Sequence, residues 1–568
     1  MAISTLNFSL LITIVILLLG QGGVHKIEAS HEVYKGYQSL ETIPPKFQPY
    51  RTGFHFQPPR NWINGSVWGN IVWAHATSKD LVNWELQPVA LSAAEPNMDI
   101  NGAWSGSATI LPDGKPVILY TGVDSQNQQV QNVAVPKNLS DPYLIEWTKP
   151  PQNPIMSPTI QNQINSSSFR DPSTGWLGPD NVWRVVVGSK IGKQGVAILY
   201  KSKDFVNWVK DKKPLHSAHG NGMWECPAFY PVSVGNRNSV DTSKSSNDLN
   251  VKYVLKVSLD DIKHDYYTVG SYNYHTDVYT PNRGSIQNGF SGLRYDYGKF
   301  YASKSFYDGE MNRRVLWGWV NESSSVADDV KKGWSGVMAV PRRVWLDKSG
   351  KQLHINPVQE FVKLRMNPVS LRNHVLQPSS LLKVHNITAA QADVEIAFEG
   401  LDLSKAEVID PSWISKPQVL CNQNDSSVRG SLGPFGLKVL ASKGMEEYTS
   451  VFFRVFKMNT QNNKQHVVLM CSDQSRSSLD KDVDKSNYGA FVNVNPGHEK
   501  LSLRTLIDHS IVESFAAKGK SCITSRVYPK LAIDKAAHLY AFNNGLQSVK
   551  ISSLNAWSMK SAQITGKQ

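Results

Sequence analysis

The feature that most narrows the fold is a heptapeptide that returns. Ser78-Lys79-Asp80-Leu81-Val82-Asn83-Trp84 reappears as Ser202-Lys203-Asp204-Phe205-Val206-Asn207-Trp208, with Asp141-Pro142-Tyr143-Leu144-Ile145-Glu146-Trp147 as a looser copy between them. The three tryptophans lie 63 and 61 residues apart. Short strand-like runs such as Val117-Ile118-Leu119-Tyr120 and Val185-Val186-Val187 fall between the copies. A repeat of about 60 residues made of short strands predicts four-stranded blades around an axis. A sandwich with coincident turns is the competing architecture.

A second series runs in step with the first. Trp104-Ser105-Gly106-Ser107, Arg170-Asp171-Pro172 and Trp224-Glu225-Cys226-Pro227 begin 66 and then 54 residues apart. The preceding member should begin near position 40–50, yet the nearest candidate, Trp62-Ile63-Asn64, lies only 42 residues before Trp104. Arg51 to Trp84 spans 34 residues, where a full blade takes about 60. The first blade is short by roughly twenty residues on this spacing.

From about Met366 the texture changes. Residues 366–383 read as a Leu/Ser/Pro-rich linker, and beyond them come alternating runs such as Val394–Ala397, Ser450–Val455, Val467–Met470 and Leu501–Leu506. These predict a β-sandwich over 384–560. The fold class is therefore all-β, a propeller over 45–365 followed by a sandwich, which suits the two or three domains expected of 568 residues.

The amino end has a different character. Phe8 to Leu19 is an apolar run of 12 followed by Gly20, Gly22, Gly23 and Ala29-Ser30. It fits the apolar core of a secretory signal within 1–30, although no Lys or Arg precedes it; an uncleaved anchor is the alternative. No later run approaches 18 apolar residues, so no membrane partner is expected after cleavage. Export gives weight to the sequons at Asn64, Asn138, Asn165, Asn321, Asn386 and Asn424 as glycosylation sites. It also lets cysteines pair. Cys421 and Cys471 are the expected disulfide, with Cys226 and Cys522 free; four cysteines without a C-x-x-C exclude a disulfide scaffold and structural zinc. The net charge of +13 comes from scattered residues. It suits an acidic partner, and no nucleic-acid-binding motif accompanies it.

Asp171 and Glu225 hold repeat-equivalent places beside Arg170 and Trp224. Inner-strand ends converge on a propeller axis, so two acids ringed by Trp suit sugar chemistry. Two buried acids in turns are the bland reading.

The chain resembles the plant cell-wall invertases and fructan exohydrolases of glycoside hydrolase family 32. The matching stretches are TGFHFQPPRNWIN, VWGNIVWAHATSKDLVNW, WSGSATILPDGKPVILYTG, FRDP, WECPAFYPV, SLDDIKHDYYTVGSY, FYASKSFYD, RRVLWGWVNESS and DHSIVESFAAKGKSCITSRVYP. The resemblance implies a five-bladed β-propeller carrying the site, here with a truncated first blade, and a C-terminal β-sandwich. It implies cleavage of β-fructosyl bonds, in sucrose or fructan, with retention and without cofactor or metal. Glu225 corresponds to the acid/base and Asp171 to the carboxylate that stabilises the transition state. Trp62, Asn64, Trp68, Trp104, Ser105 and Arg170 correspond to the fructosyl pocket. Asp260 and Lys263 match a pair that separates sucrose-cleaving members from many exohydrolases. Localisation would be the apoplast or cell wall, where the net charge of +13 would favour retention on acidic wall polysaccharide.

Two departures stand out. The family reads W-[IM]-N-D-P-N-G, with that Asp as nucleophile, then a Tyr-Gln-Tyr-Asn-Pro strand before V-W-G-N. This chain passes from Trp62-Ile63-Asn64 directly to Gly65-Ser66-Val67-Trp68. The nucleophile, a pocket Gln and about a strand are absent, and the Asn64 sequon is a product of the junction. Asp80 and Asp99 are the next aspartates, one in the repeat and one in a loop, and neither suits the vacant role. The second departure is Ala228, where relatives commonly carry Asp after Glu-Cys-Pro. The expectation is a β-fructofuranosidase-type glycosidase whose turnover is lost or severely impaired.

Overall fold

The computed structural model describes residues 12–16, 48–57, 61–63, 71–242, 250–283, 292–460 and 463–566. Asn64, Trp68 and all of the 1–30 segment apart from 12–16 lie outside the described residues.

The repeated heptapeptide is a turn, and its construction is local. Asp204 accepts from the backbone N–H groups of Val206 (3.0 Å) and Asn207 (2.8 Å) and from Asn207 Nδ2 (2.7 Å). Asp80 makes the same three bonds with Val82 and Asn83 at 3.0, 2.8 and 2.8 Å. The fourth residue of each copy, Leu81, Leu144 and Phe205, adopts positive φ. Leu81 and Phe205 bury their side chains as the chain reverses. In the second and third blades this turn joins the third strand to the fourth: Gln129–Pro136 to Trp147–Thr148, and Gln194–Ser202 to Val209–Lys210.

Four blades are built alike, from an inner strand outward. Their inner strands are Ala103–Ile110, Phe169–Arg170, Trp224–Ser233 and Phe300–Asp308. Each pairs antiparallel with the next strand of its sheet. Blades three and four approach closely at Gly188, where a Cβ would sit 2.2 Å from the Trp224 carbonyl oxygen.

Blade one differs. Its copy of the turn joins Trp73–Ser78 to Trp84–Leu91, so these are its third and fourth strands. The place of the second is held by Ile12–Ile16, antiparallel to Trp73–Ser78. No strand among the described residues takes the first place. The outer edge is closed by Ile564–Thr565, parallel to Trp84–Glu85. The stretch before the junction runs beside blade five, with Asn61–Trp62 parallel to Trp334–Ser335.

The sandwich consists of a six-stranded and a seven-stranded sheet. Strand Gln391–Glu399 shows its logic. Ala392, Val394, Ile396 and Phe398 point into the core, while Asp393 on the other face holds Arg365 (2.7 Å) and Arg504 (2.7 Å). Cys421 and Cys471 are disulfide-bonded with Cα atoms 5.8 Å apart, and Cys226 and Cys522 are free and buried.

The expected linker at 366–383 is corrected. Arg365–Leu376 and Ser380–Lys383 are strands, one in each sandwich sheet. Arg365–Leu376 is an edge strand, and Pro368 falls at its bulge between Met366 and Val369, so no ladder bond is lost.

The two units meet through buried charges. Asp508 accepts from the backbone N–H groups of Gly53 (2.6 Å), Phe54 (2.8 Å) and His55 (3.0 Å), and lies 2.8 Å from His55 Nδ1. Arg342 pairs with Asp296 at 2.8 Å and with Glu513 at 3.4 Å.

Candidate active site

Each of the four regular inner strands delivers polar groups to one place, and three do so through the same irregularity. Register shifts fall between Ala103 and Gly106, Glu225 and Ala228, and Tyr301 and Lys304. Such bulges re-aim side chains that a regular pleat would send to alternate faces. Cys226 and Ala302 take positive φ within two of these shifts (46° and 53°), and Asp171, just after the inner strand Phe169–Arg170, does so too (68°). Left-handed backbone at a non-glycine residue is a local cost that the surrounding packing sustains.

Glu225 is buried between a cation and a phenol. Arg170 donates to its Oε1 from Nε (3.0 Å) and Nη2 (2.8 Å), and the Tyr301 hydroxyl donates to its Oε2. Arg170 also reaches Asp260 Oδ2 at 3.3 Å, and Asp260 pairs with Lys263. Burial pushes the Glu225 carboxyl above its ordinary value, outweighing the opposing pull of Arg170; Asp260 and Asp171 add to the rise. Burial likewise pushes the neighbouring Cys226 thiol well up, so it is an inert thiol rather than a nucleophile.

Asp171 is fully buried and joins the two motifs. Its Oδ2 accepts from the Cys226 N–H at 2.8 Å, and its own N–H donates to Thr121 Oγ1 at 2.8 Å. Its Oδ1 has no partner, and neither have the buried Trp104 Nε1 and Ser105 Oγ. An unsatisfied buried carboxylate oxygen is rare enough to call for an explanation. Hydroxyl-rich ligands supply one.

Of the site residues expected from sequence, Arg170, Asp171, Glu225, Asp260 and Lys263 are linked by these contacts, while Trp104 and Ser105 lie on the inner strand Ala103–Ile110 of blade two, whose Ser107 meets Lys304. Trp62 is half-buried beside blade five, paired in strand with Ser335. The alternative aspartates are structurally committed: Asp80 to its turn, and Asp99 to Tyr120 (2.6 Å) and Lys149 (2.6 Å). Sequence reading missed Tyr301, which holds Glu225, and Lys304, whose Nζ donates to the carbonyls of Asp171 (3.4 Å) and Pro172 (3.3 Å). Both sit in the quoted FYASKSFYD stretch, the only signal available. Gln129 and Gln131 were also missed. They hold the short inner strand of blade three through Phe169 N–H (2.8 Å) and Phe169 carbonyl (2.8 Å).

Comparison with known families decides the relationship. Residues 55–357 match the glycosyl hydrolases family 32 N-terminal domain, and residues 360–558 match the glycosyl hydrolases family 32 C-terminal domain. The chain belongs to glycosyl hydrolase family 32. It is a glycosidase by family, with the family's propeller and sandwich. It is 58% identical to an insoluble isoenzyme of β-fructofuranosidase from Arabidopsis thaliana over 588 positions, covering 99% of each chain. It is also 58% identical to a cell-wall isozyme of β-fructofuranosidase from Pisum sativum, covering 90% of this chain and 95% of that one. Among solved structures, a fructan 1-exohydrolase IIa variant from Cichorium intybus in complex with 1-kestose superposes with a TM-score of 0.88. That match has 48% identity and covers 92% of this chain and 99% of the other.

Proposed function

We propose that this family 32 member is a cell-wall β-fructofuranosidase by descent, directed at sucrose, whose present chain binds the fructosyl unit but turns it over poorly or not at all. The observation that carries the reading is the asymmetry of the site. Four blades contribute inner-strand groups, and among the described residues the first blade contributes none. The alignment with the Arabidopsis β-fructofuranosidase runs over 588 positions against the 568 residues of this chain, so some of those positions are gaps in this chain, in keeping with a shortened blade.

What remains suits half of a retaining mechanism. Glu225, raised by burial, is the acid that would protonate the leaving glycosidic oxygen and then deprotonate water. The unpaired Oδ1 of Asp171, with Trp104 Nε1 and Ser105 Oγ, is suited to grip sugar hydroxyls. The step with no residue to perform it is attack on the anomeric carbon, where the family uses the Asp of N-D-P-N-G. Asp260 and Lys263, paired beside Arg170, favour sucrose over fructan as the substrate of the ancestral reaction. The names of the relatives support a wall location after secretion, with sugars carried on Asn138, Asn165 and Asn386, which are exposed, and on the less exposed Asn321 and Asn424.

The test is a secreted full chain assayed on sucrose, 1-kestose and inulin, beside a version with the missing segment restored. We expect turnover in the restored chain and a loss of at least several orders of magnitude in the natural one. Substantial hydrolysis by the natural chain would overturn the proposal. Calorimetry with sucrose tests the retained pocket, and an absence of binding would leave no case for a sugar-binding role. A restored chain that prefers fructan over sucrose would move the reading to an exohydrolase.

A further inference from the structure

Behind the Glu225 motif lies a small cavity with room for about one water-sized guest, lined by Ala228, Lys304, Arg314, Ser107, Thr242 and Tyr230. Two of those residues are cations that meet no carboxylate among the described residues. Lys304 Nζ donates only to neutral oxygens: Ser107 Oγ (3.2 Å) and the carbonyls of Asp171 and Pro172. Arg314 donates to Ser305 Oγ (3.2 Å) and Thr242 Oγ1, and its guanidinium lies 4.1 Å over the Tyr230 ring. Its Nε is buried without a partner, and only 2% of the residue is exposed.

Elsewhere in the propeller, buried cations are paired. Arg170, Arg184, Lys256, Arg313 and Arg342 each meet a carboxylate within 3.3 Å. Asp171 and Asp265 act on Lys304 only from a distance, as Asp241 does on Arg314. The shortfall coincides with Ala228, the position where the family resemblance places an aspartate. A buried cation that loses its carboxylate keeps its desolvation cost and loses the compensation. Consistent with this, burial lowers Lys304 and pushes Arg314 down to about 10.

We infer that the cavity binds a chloride-sized inorganic anion, held by Arg314 Nε and Lys304 Nζ, in the place of the absent side-chain carboxylate. A halide suits the cavity in three respects: it is near water in size, it carries the single negative charge required, and it needs no donor of its own. Ser107 and Thr242 hydroxyls can turn toward it. The ion would also steady Lys304, which spans blades two, three and five through Ser107, Asp171 and Pro172. This inference does not rest on turnover or on the missing nucleophile.

The test compares chloride with gluconate at fixed ionic strength in the full chain. We expect the thermal midpoint to rise by roughly 2–4 °C over a hundredfold increase in chloride, and to stay flat in gluconate. Ala228→Asp restores a carboxylate, so it should raise the midpoint in gluconate and abolish the chloride response. Chlorine-35 linewidth gives a second readout: the natural protein broadens the resonance by exchange, and the Ala228→Asp variant loses most of that excess. Equal midpoints in chloride and gluconate would overturn the inference. So would a variant that retains the full chloride response or linewidth, which would assign the ion to the basic surface instead.

Discussion

Glu225 shows how one residue's chemistry is set by others far away in sequence. Its carboxyl lies inside a wall made by Arg170, 55 positions earlier, and Tyr301, 76 positions later. Burial raises it, Arg170 opposes the rise, and Asp260 adds to it. An acid catalyst must be protonated, so its value sets the alkaline limb of the pH–rate profile. Asp260→Asn removes a charge that favours the neutral acid and leaves Arg170 free to bind Glu225 more fully. Both effects lower the Glu225 value. In the chain with the missing segment restored, the alkaline limb for sucrose should therefore move to lower pH while the fold is unchanged. A limb that stays in place or moves up would assign the proton to another group.

At the scale of elements, the turn and the edge strand make separate predictions. Asp204 caps its turn with three bonds from Val206 and Asn207. Asp204→Ala should cost about 1 kcal/mol, as loss of a comparable side-chain cap does, and be seen as a lowered thermal midpoint of a folded protein. An unchanged midpoint would mean that Phe205 burial alone fixes the turn. The second prediction concerns Trp73–Ser78, whose inner edge is covered, among the described residues, by Ile12–Ile16. A chain that begins after residue 30 bares those backbone groups, and an unpaired strand edge is a template for association. Light scattering should find concentration-dependent oligomers for that chain and monomers once the missing segment is restored. A monomeric short chain would mean that another segment covers the edge.

These elements also show what sequence could reveal. The Asp-to-Asn turn is closed within four residues, so its copies are visible as a repeat, and its spacing is what suggests a short first blade. Asp171 and Glu225 were legible because each follows its own repeat. Tyr301, Lys304, Gln129 and Gln131 act across blades, and no local pattern announces such contacts. The strand at 365–376 was read as a linker because its edge position tolerates Asn367 and Pro368 at a bulge.

For the whole molecule, the contact between propeller and sandwich is a cluster of buried charges whose strength depends on pH. His55 sits 2.8 Å from Asp508 and 3.6 Å from Glu513. Burial alone would lower His55, but its bonds to the two carboxylates outweigh burial and raise it above its ordinary value. A raised histidine contributes stability that is complete below its unfolded value of about 6.5 and fades as pH rises through the folded value. Asp508 and Glu513 are held below their ordinary values despite burial, by His55 and by Arg342 respectively. Their contribution is present above their unfolded values, about 4, and fades as pH falls through the depressed folded ones. The cluster is therefore strongest in mildly acidic solution, the window between the two carboxylates and the histidine. His55→Gln keeps the approximate shape of the ring and removes the titration. Thermal midpoints of the natural chain should decline above neutral pH, and those of the His55→Gln variant should be lower in mild acid with a flatter alkaline decline. If the two profiles ran parallel through the neutral range, His55 would not be the group that couples the propeller to the sandwich.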